Sequence, residues 1–475
     1  MKNDRAHQLP SASDQRLTGF VLRVTLVAAL GGLLFGYDTA VISGAIQFLT
    51  GHFQLSPAGT GWAASCALAG CVAGSAAAGT IGDVLGRRMV LLLAAVLFLI
   101  SALGTAMASS FPLFIAFRIL AGAGVGAASI ASPVYIAEMA PPRWRGWLVG
   151  TNQFAIVSGM LLIYFVNYRI VRLGSEAWNE ANGWRWMFAS GALPALTLLA
   201  LLMTIPETPR FLRARGRRAE AARIAEKIGD AAISLDYIPE TGAVRHRGEG
   251  LSLLRKPMAG LVLIGLTLAV LQQITGINVF LYYAPEIFRA LGSGTSTAML
   301  ETVVLGAVNL GFTLVAMFTV DHLGRKPLLM IGACGMGCCL IATGIASLRQ
   351  GYPGWVLAAV LGYIACFALS VGPVTWIVLS EIFPIRIRAR SVATASLALW
   401  TANFLVSQTF PMMNSSALLQ HHFRRAFPFF LYAVFCLAEV IFVWKWIPET
   451  KNRTLEEIAG AWAVQHAGSG SRQVS

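Results

Sequence analysis

Twelve apolar stretches of roughly membrane-spanning length, with a long polar break after the sixth, constrain this chain more than any single motif. Their approximate limits are 21–43, 60–80, 89–108, 112–137, 147–168, 186–205, 257–284, 298–320, 327–347, 353–380, 391–413 and 426–447. A hydrocarbon core about 30 Å thick takes about 20 apolar residues of helix. Within it every backbone N–H and C=O must be satisfied internally, which a helix does by itself. Only 12% of the 475 residues are charged, against about a quarter in soluble domains. The expected fold class is therefore an all-α membrane protein, with twelve transmembrane helices in two six-helix halves. The first half is placed at 1–205, a cytoplasmic linker with short helices at 206–256, the second half at 257–447, and a tail at 448–475. The spans at 112–137 and 353–380 run long and are expected to tilt.

The two halves repeat. Gly82-Asp83-Val84-Leu85-Gly86-Arg87-Arg88 returns as Val320-Asp321-His322-Leu323-Gly324-Arg325-Lys326, with an offset of 238. Ile136-Ala137-Glu138-Met139-Ala140-Pro141, followed by Arg145, returns as Leu379-Ser380-Glu381-Ile382-Phe383-Pro384 followed by Arg388, offset 243. Pro206-Glu207-Thr208 returns as Pro448-Glu449-Thr450, offset 242. A nearly constant offset means a duplicated half. Each copy follows an even-numbered span, so both halves share one orientation, related by an axis along the membrane normal. The acids and bases of these loops, Asp83, Arg87, Glu138, Arg145, Asp321, Arg325, Glu381 and Arg388, form a candidate gating latch. Ordinary topology charge is the plainer reading, but basic loops on the cytoplasmic side need no acids.

The segment Glu207 to Lys256 holds eleven Arg or Lys and seven Asp or Glu. With the basic residues after spans two, four, eight and ten, and less basic charge in the loops between, it puts both termini in the cytoplasm. Within it, Arg217 to Ile228 mixes apolar and charged residues as an amphipathic helix does. The formal charge of +14 belongs to loops facing anionic lipid, not to nucleic acid. Met1 to Arg16 is polar, and no secretory signal is expected. All seven cysteines lie in apolar runs and read as small buried residues. Cys334, Cys338 and Cys339 lack a nearby His or acid, so no metal is expected. No cofactor is expected either. The glycines after Arg118 follow no strand, and no phosphate-cradling Gly-x-x-x-x-Gly-Lys-Ser/Thr is present.

Chemistry concentrates in two places. Gln272-Gln273-Ile274-Thr275-Gly276-Ile277-Asn278, continuing to Tyr282-Tyr283, sits inside the apolar run Met258 to Phe288. Amides and phenols in hydrocarbon need partners. At 100° per residue, Gln272, Thr275, Asn278, Tyr282 and Tyr283 share an arc of roughly 140°. Gln273 lies off it, but Gly276 and Pro285 let the helix bend and swing it inward. Neutral donors and acceptors at mid-depth suit a hydroxyl-rich, uncharged solute; interhelical bonding alone is the rival reading. The second place is Asp38, a lone carboxylate within span one, whose candidate partner is Arg118 in span four. Exchange between protonated and Arg118-paired forms makes a proton-coupling device; a static pair is the bland alternative. Gly122, Gly124 and Gly126 permit close helix packing at a moving interface. Gln153, Asn309, Trp376 and Trp400 are further polar or aromatic groups in spans five, eight, ten and eleven. An indole stacks on a sugar's C–H face while its N–H takes a hydroxyl.

Gly36-Tyr37-Asp38-Thr39-Ala40-Val41-Ile42-Ser43-Gly44, the two Asp-x-x-Gly-Arg-Arg/Lys loops, Arg118 with its glycines and Pro206-Glu207-Thr208-Pro209-Arg210 resemble the sugar-porter family of the major facilitator superfamily. So do Gln272 to Tyr283 and Pro448-Glu449-Thr450-Lys451-Asn452-Arg453-Thr454. The resemblance runs over nearly the whole chain. It implies alternating access in a bacterial inner membrane, with sugar contacts at Gln153, Gln272, Gln273, Asn278, Asn309, Trp376 and Trp400, to which Tyr283 is added. It implies that Asp38 carries the proton and Arg118 tunes it. Three positions depart from the family's pentose–proton symporters. Met160 and Leu399 stand where those have binding glutamines, and Gly191 stands where they have an acid in span six. A pentose-fitted site and an identical proton path are therefore open questions.

The expected function is proton-coupled symport of a neutral monosaccharide, a pentose or a hexose, into the cell. Its expected partners are the sugar, protons and the bilayer, and the chain is expected to function as a monomer. A uniporter with the same site is the immediate alternative, and a non-transporting sugar sensor a remoter one. The uncharged set in span seven argues against a drug–proton antiporter, the duplicated loops against a channel, and the lack of a catalytic constellation against an enzyme.

Overall fold

A computed structural model describes residues 17–229, 258–349, 354–383 and 388–449. Among these residues the chain is helical throughout, without strands. The first six spans are Gly19–His52, Pro57–Leu85, Arg87–Ala106, Phe111–Met139, Arg145–Leu173 and the segmented stretch Glu176–Leu202. The second six are Met258–Ile274 with Ile277–Ala290, Thr295–Leu323, Arg325–Arg349, Trp355–Ile382 in three pieces, Arg388–Ser415 and Phe427–Trp446. Eleven are long and apolar enough to cross a membrane. Arg388–Ser415, at 28 residues, has the length but a more polar face. That face, with Ser396, Asn403 and Ser407, is buried. A face turned into the bundle can carry such groups where a lipid-facing one cannot.

Small residues set how closely the first half packs. Gly122 and Gly126 of span four lie against the backbone of span two, where a Cβ would strike the carbonyls of Ala67 and Cys71. The expected close packing is thus present, between two helices of one half. Span one lies on span five in the same way, with Gly36 against the Ile156 carbonyl. The Asn167 side-chain amide donates to the Val41 carbonyl at 3.2 Å.

The halves meet at the membrane face opposite the duplicated loops. There Ser65 donates to Gln408 Oε1 at 2.9 Å, and the Gln408 amide donates to the Ala58 carbonyl at 3.0 Å. Arg289 at the end of span seven donates to Gln47 at the end of span one. Trp62 and Phe404 pack edge-on at 5.7 Å. Deeper in, the Tyr164 hydroxyl of span five donates to the Leu281 carbonyl of span seven at 2.8 Å.

The amphipathic segment forms a helix at Arg218–Ile228, with Ala221, Ile224, Ala225 and Ile228 buried. It docks on the start of span one, where the Thr18 hydroxyl donates to the Lys227 carbonyl. The rest of the linker after Gly229 and the tail beyond Glu449 lie outside the described residues. One expectation needs correcting. All seven cysteines are free, but only Cys66, Cys71 and Cys436 are buried, and Cys334 and Cys338 are exposed. Both lie on span nine, whose outer face has only lipid to meet; thiols are apolar enough to sit there.

Candidate functional site

Span seven is two helices. The first ends at Ile274, and Gly276 sits at φ 93° before Ile277 starts the second. A left-handed residue in the path of the chain costs little only for glycine. A Cβ there would also strike the Tyr432 ring. A second irregularity falls at Tyr283, φ −118° and ψ 15°, two residues before Pro285, which cannot donate to the preceding turn. Span ten is interrupted as well. A five-residue π turn, Phe367–Val371, precedes Gly372 and Pro373. Broken membrane helices mark places where backbone groups and side chains turn toward a cavity or a neighbouring helix.

The first break does what the sequence requires of it. Gln273, which a straight helix would point elsewhere, joins the others: its Nε2 donates to Gln272 Oε1 at 3.4 Å, and its Oε1 accepts from Asn278 Nδ2 at 2.5 Å. Gln272 and Gln273 are 2% and 6% exposed. Gln272 Nε2 donates in turn to the Val371 and Gly372 carbonyls, at 3.0 Å each. The result is a relay of uncharged amides with no ionised group in it. Tyr283 is fully buried and donates to the Ser407 carbonyl at 2.9 Å, so in this conformation its hydroxyl is spent on span eleven.

The other candidate contacts are more dispersed. Asn309 is 6% exposed in span eight, and Gln153 is half-buried in span five. Trp400 is 7% exposed and meets Phe35 of span one at 5.8 Å between ring centres, across the two halves. Trp376 is 40% exposed in the last segment of span ten. Sequence reading notes Asn403 in span eleven and Tyr282 on the span-seven arc but leaves both out of the contact set; Asn403 accepts from the Ser407 hydroxyl at 3.1 Å. It passed over Tyr164. Their signal was the same as for the rest, polar groups in apolar spans, but each taken singly reads as packing.

Asp38 and Arg118 meet as expected. Arg118 Nη1 donates to both carboxylate oxygens, at 3.0 and 2.9 Å, and Nη2 to the Asp38 backbone carbonyl at 3.2 Å. The arginine side chain is 1% exposed and the aspartate side chain 14%. The guanidinium also lies over the Phe188 ring, 5.3 Å from its centre, a placement that stabilises a desolvated cation. A small cavity beside Asp38 is lined by Tyr37, Phe98, Ala102, Phe188 and Gly191. The glycine noted in span six thus leaves space next to the carboxylate. The Tyr37 hydroxyl is hydrogen-bonded to that of Ser190 at 2.8 Å.

The duplicated loops form matching clusters, each within its own half. Arg87 pairs with Asp83 at 3.2 Å and with Glu138 at 3.3 Å; Arg325 pairs with Glu381 at 3.1 Å. Glu138 also accepts from the Thr208 hydroxyl at 2.6 Å. Arg145 starts span five with an exposed side chain. The side chains of Asp321 and Arg388 lie outside the described residues. Two acids absent from the expected set hold the centre of each cluster. Glu207 accepts from the backbone N–H groups of Arg87, Arg88 and Thr208 at 2.9 to 3.3 Å. Glu449 accepts from those of Arg325 and Lys326 at 3.0 and 3.1 Å. Glu207 caps the N-terminus of span three and Glu449 that of span nine, where unpaired N–H groups and the helix dipole favour an anion. Burial nevertheless pushes the Glu207 carboxyl above its ordinary pKa, against the pull of those donors. The repeat of Pro-Glu-Thr at offset 242 was the signal for both.

A duplicated twelve-span bundle with a neutral amide relay in one half and a buried ion pair in the other is the form of a membrane carrier. Comparison with known proteins agrees. The chain belongs to the family described as sugar (and other) transporter, whose model matches residues 24–462. It is 44% identical to the D-xylose-proton symporter of Escherichia coli (strain K12), over 94% of this chain and 96% of that one. It is 38% identical to the arabinose-proton symporter of Bacillus subtilis (strain 168), over 94% and 95%. The inward open conformation of the xylose transporter from E. coli superposes with a TM-score of 0.81 at 42% identity, covering 93% of this chain and all of that one. The protein is thus a multi-pass membrane transporter of the major facilitator fold.

Proposed function

We propose that this protein carries a neutral monosaccharide into the cell together with a proton, by alternating access between its two halves. The observation that carries the reading is the Gln272–Gln273–Asn278 amide relay at the break of span seven. A sugar offers hydroxyls that both donate and accept, and amides answer both; an ionised site would favour charged solutes instead. The sugar sits between the halves, with Gln153, Asn309, Trp376 and Trp400 completing the contacts and Tyr283 released from Ser407 to join them. Kinship with pentose–proton symporters supports a pentose, while Met160 and Leu399 make the wall more apolar and favour a less polar ring face or a hexose.

Asp38 and Arg118 supply the coupling. The paired carboxylate is the deprotonated form; a proton on Asp38 breaks the ion pair and frees the guanidinium. Gly191 lines a small cavity beside the carboxylate, at the position where the resemblance puts a second acid. With the duplicated loops in the cytoplasm, the closed face is outward, so the conformation described is open toward the cytoplasm, as in the inward open structure it resembles. Both termini are then cytoplasmic, the membrane is the bacterial inner membrane, and one chain is a complete transport unit. The boundaries near 205, 256 and 447 separate the halves from linker and tail.

The test is uptake of labelled pentoses and hexoses into vesicles with and without a proton gradient. Symport predicts accumulation above the outside concentration only with the gradient. Flux that merely equilibrates would make the protein a uniporter, and no flux of any sugar would refute the reading.

A further inference from the structure

We propose that Glu439, buried in span twelve, is a second proton-binding site: its carboxyl carries a proton in the conformation described, and losing that proton disfavours the conformation, so that turnover has a pH sensitivity separate from Asp38. Occupancy of the site stands without the transport reading above; its effect on turnover rests on that reading.

Span twelve, Phe427–Trp446, turns one face into the second half, where it packs on span nine and on the first piece of span seven. Tyr432, Cys436 and Glu439 stand one above another on that face, at spacings of four and three residues, and all three are buried. The Tyr432 ring lies where a Gly276 side chain would go, and Cys436 lies against Gly337 of span nine. Glu439 is one turn further toward the duplicated-loop face, about 12 Å along the helix before Ile447.

Neither oxygen of Glu439 has a hydrogen-bond partner among the described residues, and the Tyr432 hydroxyl also lacks one. No cationic side chain among those residues acts on it. The ionisable groups around it are Tyr363 of span ten, Cys436 and Tyr432 of its own helix, and Cys334 of span nine. All are weak acids and none is a base. Tyr363 spends its hydroxyl on the Thr275 carbonyl at 3.0 Å. The first piece of span seven has no ionisable side chain. The bases at the rim are engaged elsewhere: Arg325 on Glu381, Lys326 on the Trp444 carbonyl and Lys445 over the Trp446 ring.

An ionised carboxylate so placed has neither solvent nor counter-ion. Burying that charge costs far more than burying the neutral acid, and the group takes a proton from solvent instead. The site is not part of the duplication. The repeat offsets of 238 to 243 set it against residues 196–201 of span six, where there is no acid. Any state in which this face parts from spans seven and nine admits water and lets the acid ionise. The packed state keeps the proton, so rising pH works against it.

The first experiment is infrared difference spectroscopy of the purified protein between acid and alkaline pH. It should show a protonated-carboxyl C=O band that persists in Asp38→Asn and is lost in Glu439→Gln. Glu439→Leu should unfold at or above the wild-type temperature, because an unpartnered acid is replaced by an apolar group. Absence of the band, its survival in Glu439→Gln, or a lower unfolding temperature for Glu439→Leu would overturn the site. The second is equilibrium exchange of labelled sugar in reconstituted vesicles across pH. Asp38→Asn should slow as pH rises, by about tenfold for each pH unit beyond the midpoint. Asp38→Asn with Glu439→Gln should stay flat within about twofold over the same range. Flat exchange by Asp38→Asn alone would overturn the part of Glu439 in turnover while leaving sugar transport standing. A wild-type protein without sugar flux would overturn the transport reading and leave the infrared result to decide the site.

Discussion

At the scale of single residues, the Asp38–Arg118 pair carries the sharpest expectations. Removing one member of a buried, hydrogen-bonded pair leaves the other charged and unpaired, at a cost of about 3–5 kcal/mol. Arg118→Ala should therefore lower the thermal stability of the detergent-solubilised protein as well as abolish transport; unfolding at the wild-type temperature would show that the pair contributes nothing to the fold. Asp38→Asn keeps hydrogen-bonding atoms beside the guanidinium but cannot cycle a proton. It should exchange sugar across vesicle membranes while failing to concentrate it, and concentrative uptake by this variant would remove Asp38 as the carrier. In the relay, Gln273→Ala and Asn278→Ala each remove a neutral hydrogen-bonding group of the proposed sugar site. Each should raise the sugar KM by about tenfold or less, the range of one to two neutral bonds; unchanged uptake in both would place the sugar elsewhere. Asp38, Gln272 and Asn278 were legible because ionised or amide side chains are expensive in apolar spans and so draw attention. Tyr164 and Tyr363 were not, because their partners are the Leu281 and Thr275 carbonyls, which only a folded bundle brings near.

At the scale of elements, glycine and acid positions do most of the shaping. Gly276 combines a left-handed backbone with a Tyr432 ring where a side chain would go. Gly276→Ala should destabilise the break by about 1–3 kcal/mol and reduce turnover, read as a lower maximal uptake rate; wild-type uptake would mean that the break is unnecessary. Glu207 gives a pH expectation. Its carboxyl is held above its ordinary pKa by burial, so the folded state binds the proton more tightly than the unfolded chain. Its contribution to stability is full below the ordinary carboxylate range and falls as pH rises through the raised value. Glu207→Gln should flatten the pH dependence of unfolding over that window, and an identical profile in the variant would show that other groups set it. The duplicated loops could be found by eye from their offsets. That Glu207 and Glu449 cap spans three and nine could not, because each is separated by about 120 residues from the N–H groups it accepts from.

At the scale of the whole molecule, the periodic apolar runs and the near-constant offset already contained the two-half architecture. The eleventh span, Arg388–Ser415, was found by the same means even though its polar face makes it the least apolar of the twelve. What the sequence did not contain was the state of the carrier. That depends on contacts between halves, such as Gln408 of span eleven reaching Ser65 and Ala58 of span two, which no local pattern encodes. The central claim is that sugar and proton cross together through this one path. Its most direct test is to add sugar to a dilute suspension of vesicles holding the protein, without an imposed gradient, and to record external pH and labelled sugar together. The account predicts a rise in external pH that tracks sugar entry in the wild type and vanishes in Asp38→Asn; sugar entry with no change in pH would contradict it.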